Sequence, residues 1–204
     1  SLIYYPSGYK AGTAYSLKPT DGSGDLTFTR ASSATRVNEQ GLIETASILG
    51  SELVTNGDFA SDTNWIKQTS WSISGGAANY DFLSDSKYIR QTILNGGFVA
   101  GKTYRINFEV TSGSAYMNFN SNGGGLISIN TYEVGSYSIY VSPSISASDL
   151  LIYGRNTSGT AFSIDNVSVK EVITNNVPRI DYTGGGCGKL LLEPQRTNLL
   201  TYSE

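Results

Sequence analysis

The sequence contains no histidine and a single cysteine, Cys187, among its 204 residues, and only 15% of them are charged. Without histidine the chain lacks the side chain most used as a general base near neutral pH. That excludes Ser-His-Asp and Cys-His catalysis and histidine-ligated zinc. One cysteine cannot close an intrachain disulfide, so a disulfide-stapled secreted scaffold is excluded too, and Cys187 reads as a small buried or loop thiol. Fourteen Lys and Arg against seventeen Asp and Glu leave a net charge of -3, far from the clustered basic charge that binding a phosphate backbone requires. Apolar runs such as Leu190-Leu191-Leu192 and Leu126-Ile127-Ser128-Ile129 fall well short of the roughly 20 residues that span a bilayer. The first residues, SLIYYPSGYK, do not have the basic-then-apolar order of a signal peptide, so the chain is expected to be soluble and without an export signal of its own.

What the sequence has in abundance is glycine, 23 residues, and tyrosine, 14. No window sustains the apolar spacing of an amphipathic helix, whereas period-2 alternation recurs from about residue 70 to 170. The fold class read from this is all-β. In Thr103 to Val110 the alternation sets Tyr104, Ile106, Phe108 and Val110 on one face and Arg105, Asn107 and Glu109 on the other. The same logic turns Ala115, Met117 and Phe119 inward and Tyr116, Asn118 and Asn120 outward. It turns Tyr137, Ile139 and Val141 inward and Ser138 and Tyr140 outward. Further strands are predicted over 70–74, 77–82, 87–94, 125–130, 149–155 and 160–172, separated by turns such as Ser74-Gly75-Gly76 and Asn95-Gly96-Gly97. Short strands at this spacing imply a β-sandwich or jelly roll.

The flanks differ from this middle. Residues 1–49 and 174–204 hold four of the five prolines and alternate weakly, as short β-pieces on a loop-rich framework would. Residues 1–49 carry 4 basic and 4 acidic groups and 174–204 carry 3 and 3, while 50–173 carry 7 and 10, so the whole net charge lies in the middle segment.

Within 50–173 the opening Glu52-Leu53-Val54-Thr55-Asn56-Gly57-Asp58-Phe59, then Trp65 and Trp71-Ser72-Ile73, and the closing Phe162 to Lys170 resemble jelly-roll carbohydrate-binding modules related to families 4, 9 and 22, as they occur in phage tail proteins. Residues 27–44 and 176–204 resemble the two halves of a short module of tail, spike and fibre proteins of tailed bacteriophages. In that family the halves follow one another almost directly. The middle domain therefore reads as an insertion into a discontinuous framework, which slowly growing loop-closure entropy tolerates. Asn198 to Glu204 echoes Glu52 to Thr55, and the resemblance implies that such a segment leads into a further domain.

The resemblance implies a non-catalytic virion structural or adhesion module, displayed on a phage tail or head fibre, whose jelly roll binds host-surface or environmental glycans. A homotrimer and contact with other virion subunits are expected partners of that role. The rival reading is a structural spacer or oligomerisation domain without sugar binding. Sugar contact calls for exposed aromatics with amides and guanidinium groups beside them. On the outward parity, Tyr116, Asn118, Asn120, Tyr140, Arg105, Asn107 and Glu109 could form one such face. Tyr88 and Arg90, and Tyr153 and Arg155, join it if their strands keep register. Each of these tyrosines could equally be a half-buried β-former. Trp65 and Trp71 read as structural, because in the resembled family tryptophans near these positions pack in or beside the core.

A structural calcium site is also implied near the start and end of the jelly roll, with Asp165 matching the family's closing motif and Asp58 standing in for an acidic residue replaced here by Ala60. GGGCGKL over 184–190 is not a phosphate loop: Thr183 stands where its first glycine belongs and Leu190 where it needs Ser or Thr. Two carboxylates would suffice for a glycosidase, but Glu109, the main strand candidate, has no facing partner that the sequence identifies.

Overall fold

The computed structural model describes residues 6–10, 13–16, 26–27, 29–30, 32–122, 124–186 and 188–191. Cys187 and the echo at 198–204 lie outside the described residues. In chain order the strands among them are β1 (Pro6–Lys10), β2 (Thr13–Ser16), β3 (Leu26–Thr27), β4 (Thr35–Val37), β5 (Ile43–Thr45), β6 (Ile48–Glu52), β7 (Ile66–Lys67), β8 (Trp71–Ser74), β9 (Ala77–Tyr80) and β10 (Lys87–Thr92). They continue with β11 (Thr103–Ser112), β12 (Ala115–Ser121), β13 (Gly124–Gly125), β14 (Asn130–Tyr132), β15 (Gly135–Val141), β16 (Asp149–Gly154), β17 (Phe162–Ile173), β18 (Ile180–Asp181) and β19 (Lys189–Leu190). The protein is all-β, with no helix among the described residues.

Two compact units divide the chain, Ser1–Ile48 together with Ile173–Glu204, and Leu49–Val172. In the first, β1, β2 and β3 pair in that order, and β4 with β5 and β18 with β19 form two-stranded ribbons. Hydrogen bonds tie its early and late segments together. Asn176 N–H donates to the Arg30 carbonyl at 2.8 Å and its Oδ1 accepts from Arg30 N–H at 2.7 Å. Asp181 Oδ1 accepts from Val37 N–H at 2.8 Å, and Arg179 Nε donates to the Thr35 carbonyl at 2.7 Å.

The second unit is a jelly-roll β-sandwich of two antiparallel sheets. One runs β13-β12-β16-β10-β7, with β14 also on β12; the other runs β15-β11-β17-β9-β8, with β6 also on β17. Alternation explains the core directly. Tyr104, Ile106, Phe108 and Val110 of β11 and Ala115, Met117 and Phe119 of β12 are buried, and the Phe108 and Phe119 rings meet at 5.0 Å between the sheets. The larger of these, such as Ile106, Phe108, Val110, Met117 and Phe119, each contribute about 1.5–3 kcal/mol by leaving water. Trp65 and Trp71 are both buried, and each indole N–H donates to a backbone carbonyl, that of Asn56 and that of Lys87.

The opening and closing motifs meet in space. Val167 N–H donates to the Gly57 carbonyl at 2.8 Å, and a Cβ on Gly57 would lie 1.9 Å from the Val167 carbonyl oxygen, so only glycine fits. Gly75 and Gly76 both take positive φ in the two-residue turn joining β8 to β9, the geometry a tight hairpin needs.

The strand expected over 125–130 is corrected. Its place is taken by the short β13 and β14 with a bend between them. Leu126 N–H and Ile127 N–H both donate to the Phe119 carbonyl at 3.0 Å, so two residues face one and the ladder breaks in a bulge.

Candidate functional site: the outer face of the β12-β16-β10 sheet

The register of β10, β16 and β12 places outward side chains in three rows. Tyr88 pairs with Tyr153, which pairs with Asn118; Arg90 pairs with Leu151, which pairs with Asn120. In the third row Arg155 lies beside Tyr116, its N–H donating to the Tyr116 carbonyl at 3.0 Å. Successive outward residues on a strand are about 7 Å apart, so the rows extend about 13 Å along the strands.

The rows are held by their own contacts. Tyr88 and Tyr153 meet edge to face at 5.2 Å, and the Arg155 guanidinium lies 5.6 Å from the centre of the Tyr153 ring. Arg155 Nε donates to Asn118 Oδ1 at 3.3 Å, Asn118 Nδ2 donates to Asn120 Oδ1 at 2.8 Å, and Arg155 also reaches Ser86 Oγ and, at 3.7 Å, Asp85. Burial raises the Asp85 carboxyl somewhat, but hydrogen bonds from Asn156 N–H and Ser86, with the Arg155 charge, hold it below its ordinary value. Asp149 is buried and binds Arg90 Nη1 at 3.1 Å and Thr92 Oγ1 at 2.8 Å. Arg90 Nε is closed off from solvent without a partner.

This corrects the single face expected from parity. Tyr116, Asn118 and Asn120 stand with Tyr88, Tyr153 and Arg155, whereas Arg105, Asn107, Glu109 and Tyr140 lie on β11 and β15 of the other sheet. The two sets face away from each other across the core. Asn118 also departs from the exposed amide expected: it is 6% exposed, because Asn120 and Arg155 cover it. Sequence reasoning missed Asp85 and Ser86, which anchor Arg155 from a loop where no periodicity marks them. Asp149 was findable, since it shares outward parity with Tyr153 on β16.

For calcium, Asp165 Oδ1 accepts from Asn166 N–H at 2.6 Å and Oδ2 from Asn166 Nδ2 at 3.3 Å, while exposed Asp58 accepts from Ala60 N–H at 3.4 Å. Among the described residues no three His, Cys, Asp or Glu side chains gather to hold a metal. Calcium takes six to eight oxygens, backbone carbonyls and waters among them, so these two carboxylates would be part of a ligand set and not the whole of it.

No protein-family model and no curated protein sequence matches the chain. Among solved structures it is similar to a family 4 carbohydrate-binding module, at 13% identity and a TM-score of 0.39, over 53% of this chain and 94% of that one. It is also similar to a family 35 module from Paenibacillus barcinonensis, at 15% identity and a TM-score of 0.32, over 70% and 97% of the two chains. A third is a family 27 module described for specific mannan recognition, at 13% identity and a TM-score of 0.34, over 61% and 98%. Likeness at this level carries no functional argument; the sandwich rests on its own strand pairing.

Proposed function

We propose that the jelly roll is a non-catalytic glycan-binding module and that its site is the face built by Tyr88, Tyr153, Arg155, Asn118, Asn120 and Tyr116. The observation that carries this reading is the row Tyr88-Tyr153-Asn118 with Arg155 laid against Tyr153. Tyrosine rings offer flat apolar plates for sugar faces, and the flanking amides and guanidinium groups offer hydrogen bonds to hydroxyls. Cross-strand contacts hold these groups in place before a ligand arrives, which lowers the ordering cost of binding. The carboxylates bordering the face, Asp85 and Asp149, each answer an arginine of it, a positioning role and not that of a free acid-base pair.

The virion setting belongs to the same reading and rests on the resemblance of residues 27–44 and 176–204 to the phage framework module. Display in many copies on a fibre would turn weak sugar contacts into avidity. A glycan array probed with the full chain in multivalent form tests the reading. Binding to a defined set of glycans that Tyr153→Ala and Tyr88→Ala abolish supports it. No binding to any surface polysaccharide leaves the spacer reading in its place.

A further inference from the structure

The opposite face of the sandwich carries a feature that the tyrosine rows do not use. Above β11, β15 and β17 lies a cleft of about 530 Å³ lined by Arg105, Asn107, Glu109, Ser136, Ser138 and Asn166 among others, a volume in the range of small-ligand sites. Its making is local. Asn166, at φ 53°, bulges out of β17 where the register to β11 shifts between Asn107 and Glu109, and its Nδ2 donates to Glu109 Oε2 at 3.1 Å.

The charges lining this cleft, Arg105 and Glu109, and those at its border are arranged by strand register. Arg105 pairs across with Tyr140 on one side and Lys170 on the other, while Glu109 pairs with Asp165. Arg105 and Glu109 are four residues apart on one strand, so the cationic and anionic ends are separated by about 13 Å. Lys170 is 4.0 Å from Glu52, but the Arg105 guanidinium has no ion pair or hydrogen bond among the described residues. Tyr140, beside it, is 65% exposed. Asn107 Oδ1, between the two ends, is shut off from solvent with no partner, an acceptor buried at a cost in stability.

We infer that this cleft is a second binding site, for a saccharide unit that carries a carboxylate. The carboxylate pairs with Arg105, whose planar fork suits it, and the sugar ring lies on Tyr140. Hydroxyl donors of the adjoining unit reach the Glu109 carboxylate, which Asn166 holds in position. The separation of charge along β11 fixes the direction in which the saccharide lies. This site does not depend on the tyrosine face, from which the core separates it.

Titration calorimetry of the full chain with trigalacturonate and with its fully methyl-esterified form tests the inference. The acid is expected to bind, and esterification or Arg105→Gln is expected to weaken binding about ten-fold or more, the loss for one charge-assisted contact. In parallel, backbone amide shifts of the unmodified protein are expected to change at Ser136, Ser138 and Ser168 with the acid and not with the ester. Equal affinity for the ester, shifts centred on Tyr88 and Tyr153, or no binding of trigalacturonate overturns the inference. Binding of neutral polysaccharide is measured separately, so either site can fail without the other.

Discussion

The guanidinium of Arg155 stands 5.6 Å from the centre of the Tyr153 ring, and Asn118 Oδ1 holds its Nε from the neighbouring strand at 3.3 Å. This stacked, forked arrangement is specific to arginine, because lysine offers neither a planar face nor a second nitrogen. Arg155→Lys is therefore expected to lose glycan binding nearly as fully as Arg155→Ala, by about ten-fold or more, with thermal stability little changed. Affinity electrophoresis in gels containing the polysaccharide identified on the array checks this. Recovery of binding by the lysine variant would reduce Arg155 to a point charge.

Gln91 lies on the inward side of β10, yet it is polar and only 4% exposed. Its Oε1 accepts from Thr55 N–H and its Nε2 donates to the Thr55 carbonyl, both at 2.7 Å, with a further bond to Asn64. The side chain replaces a missing strand. Gln91→Ala leaves a buried backbone donor and acceptor without partners, and a loss of about 1–3 kcal/mol is expected in denaturant unfolding.

Gly57 marks the seam between the opening and closing motifs. Gly57→Ala would force a methyl group into the Val167 carbonyl, at 1.9 Å. The backbone must move for it to fit, so a loss of about 1–3 kcal/mol or more is expected. Gly41→Ala, where nothing lies within 4 Å, carries only the strain of its positive φ and is the control for unfolding scans.

The Tyr80 hydroxyl donates to the Ser84 carbonyl inside the sandwich, and burial first, then the charges of Asp85 and Asp81, push its pKa from 10.0 to about 12. The folded state thus keeps a proton that the unfolded chain releases near its ordinary value. The resulting stability is complete below pH 10 and is lost as the pH rises toward 12. Melting temperatures across that interval are expected to fall, and Tyr80→Phe is expected to flatten the part of the decline due to this group.

Much of the sandwich was legible because burial on one face imposes a period of two. Tyr104 to Val110 and Ala115 to Phe119 showed their inward sides without ambiguity. Parity says whether a residue faces in or out, but not which sheet it belongs to. That is why Tyr140 and Arg105 were grouped with Tyr116, although the crossovers send β11 and β12 to different sheets. Asn118 shows a second limit, since an outward residue can still be covered by neighbours on its own face. At 125–130 the apolar run reads as a strand, but it follows glycines and opens with a bulge fixed by one carbonyl, that of Phe119. Loop anchors such as Ser86 have no pattern to read, and only the fold brings them to Arg155.

The central claim is that the face of Tyr88, Tyr153, Asn118 and Arg155 binds glycan. Titration of the isotopically labelled full chain with the glycan selected on the array, followed by amide and Asn side-chain shifts, tests it most directly. Saturable shifts are expected at Tyr88, Asn118, Asn120, Tyr153 and Arg155, and a Tyr88→Ala, Tyr153→Ala double variant is expected to abolish them while remaining folded. Saturable binding that leaves these residues unshifted, or that survives the double variant, would contradict it.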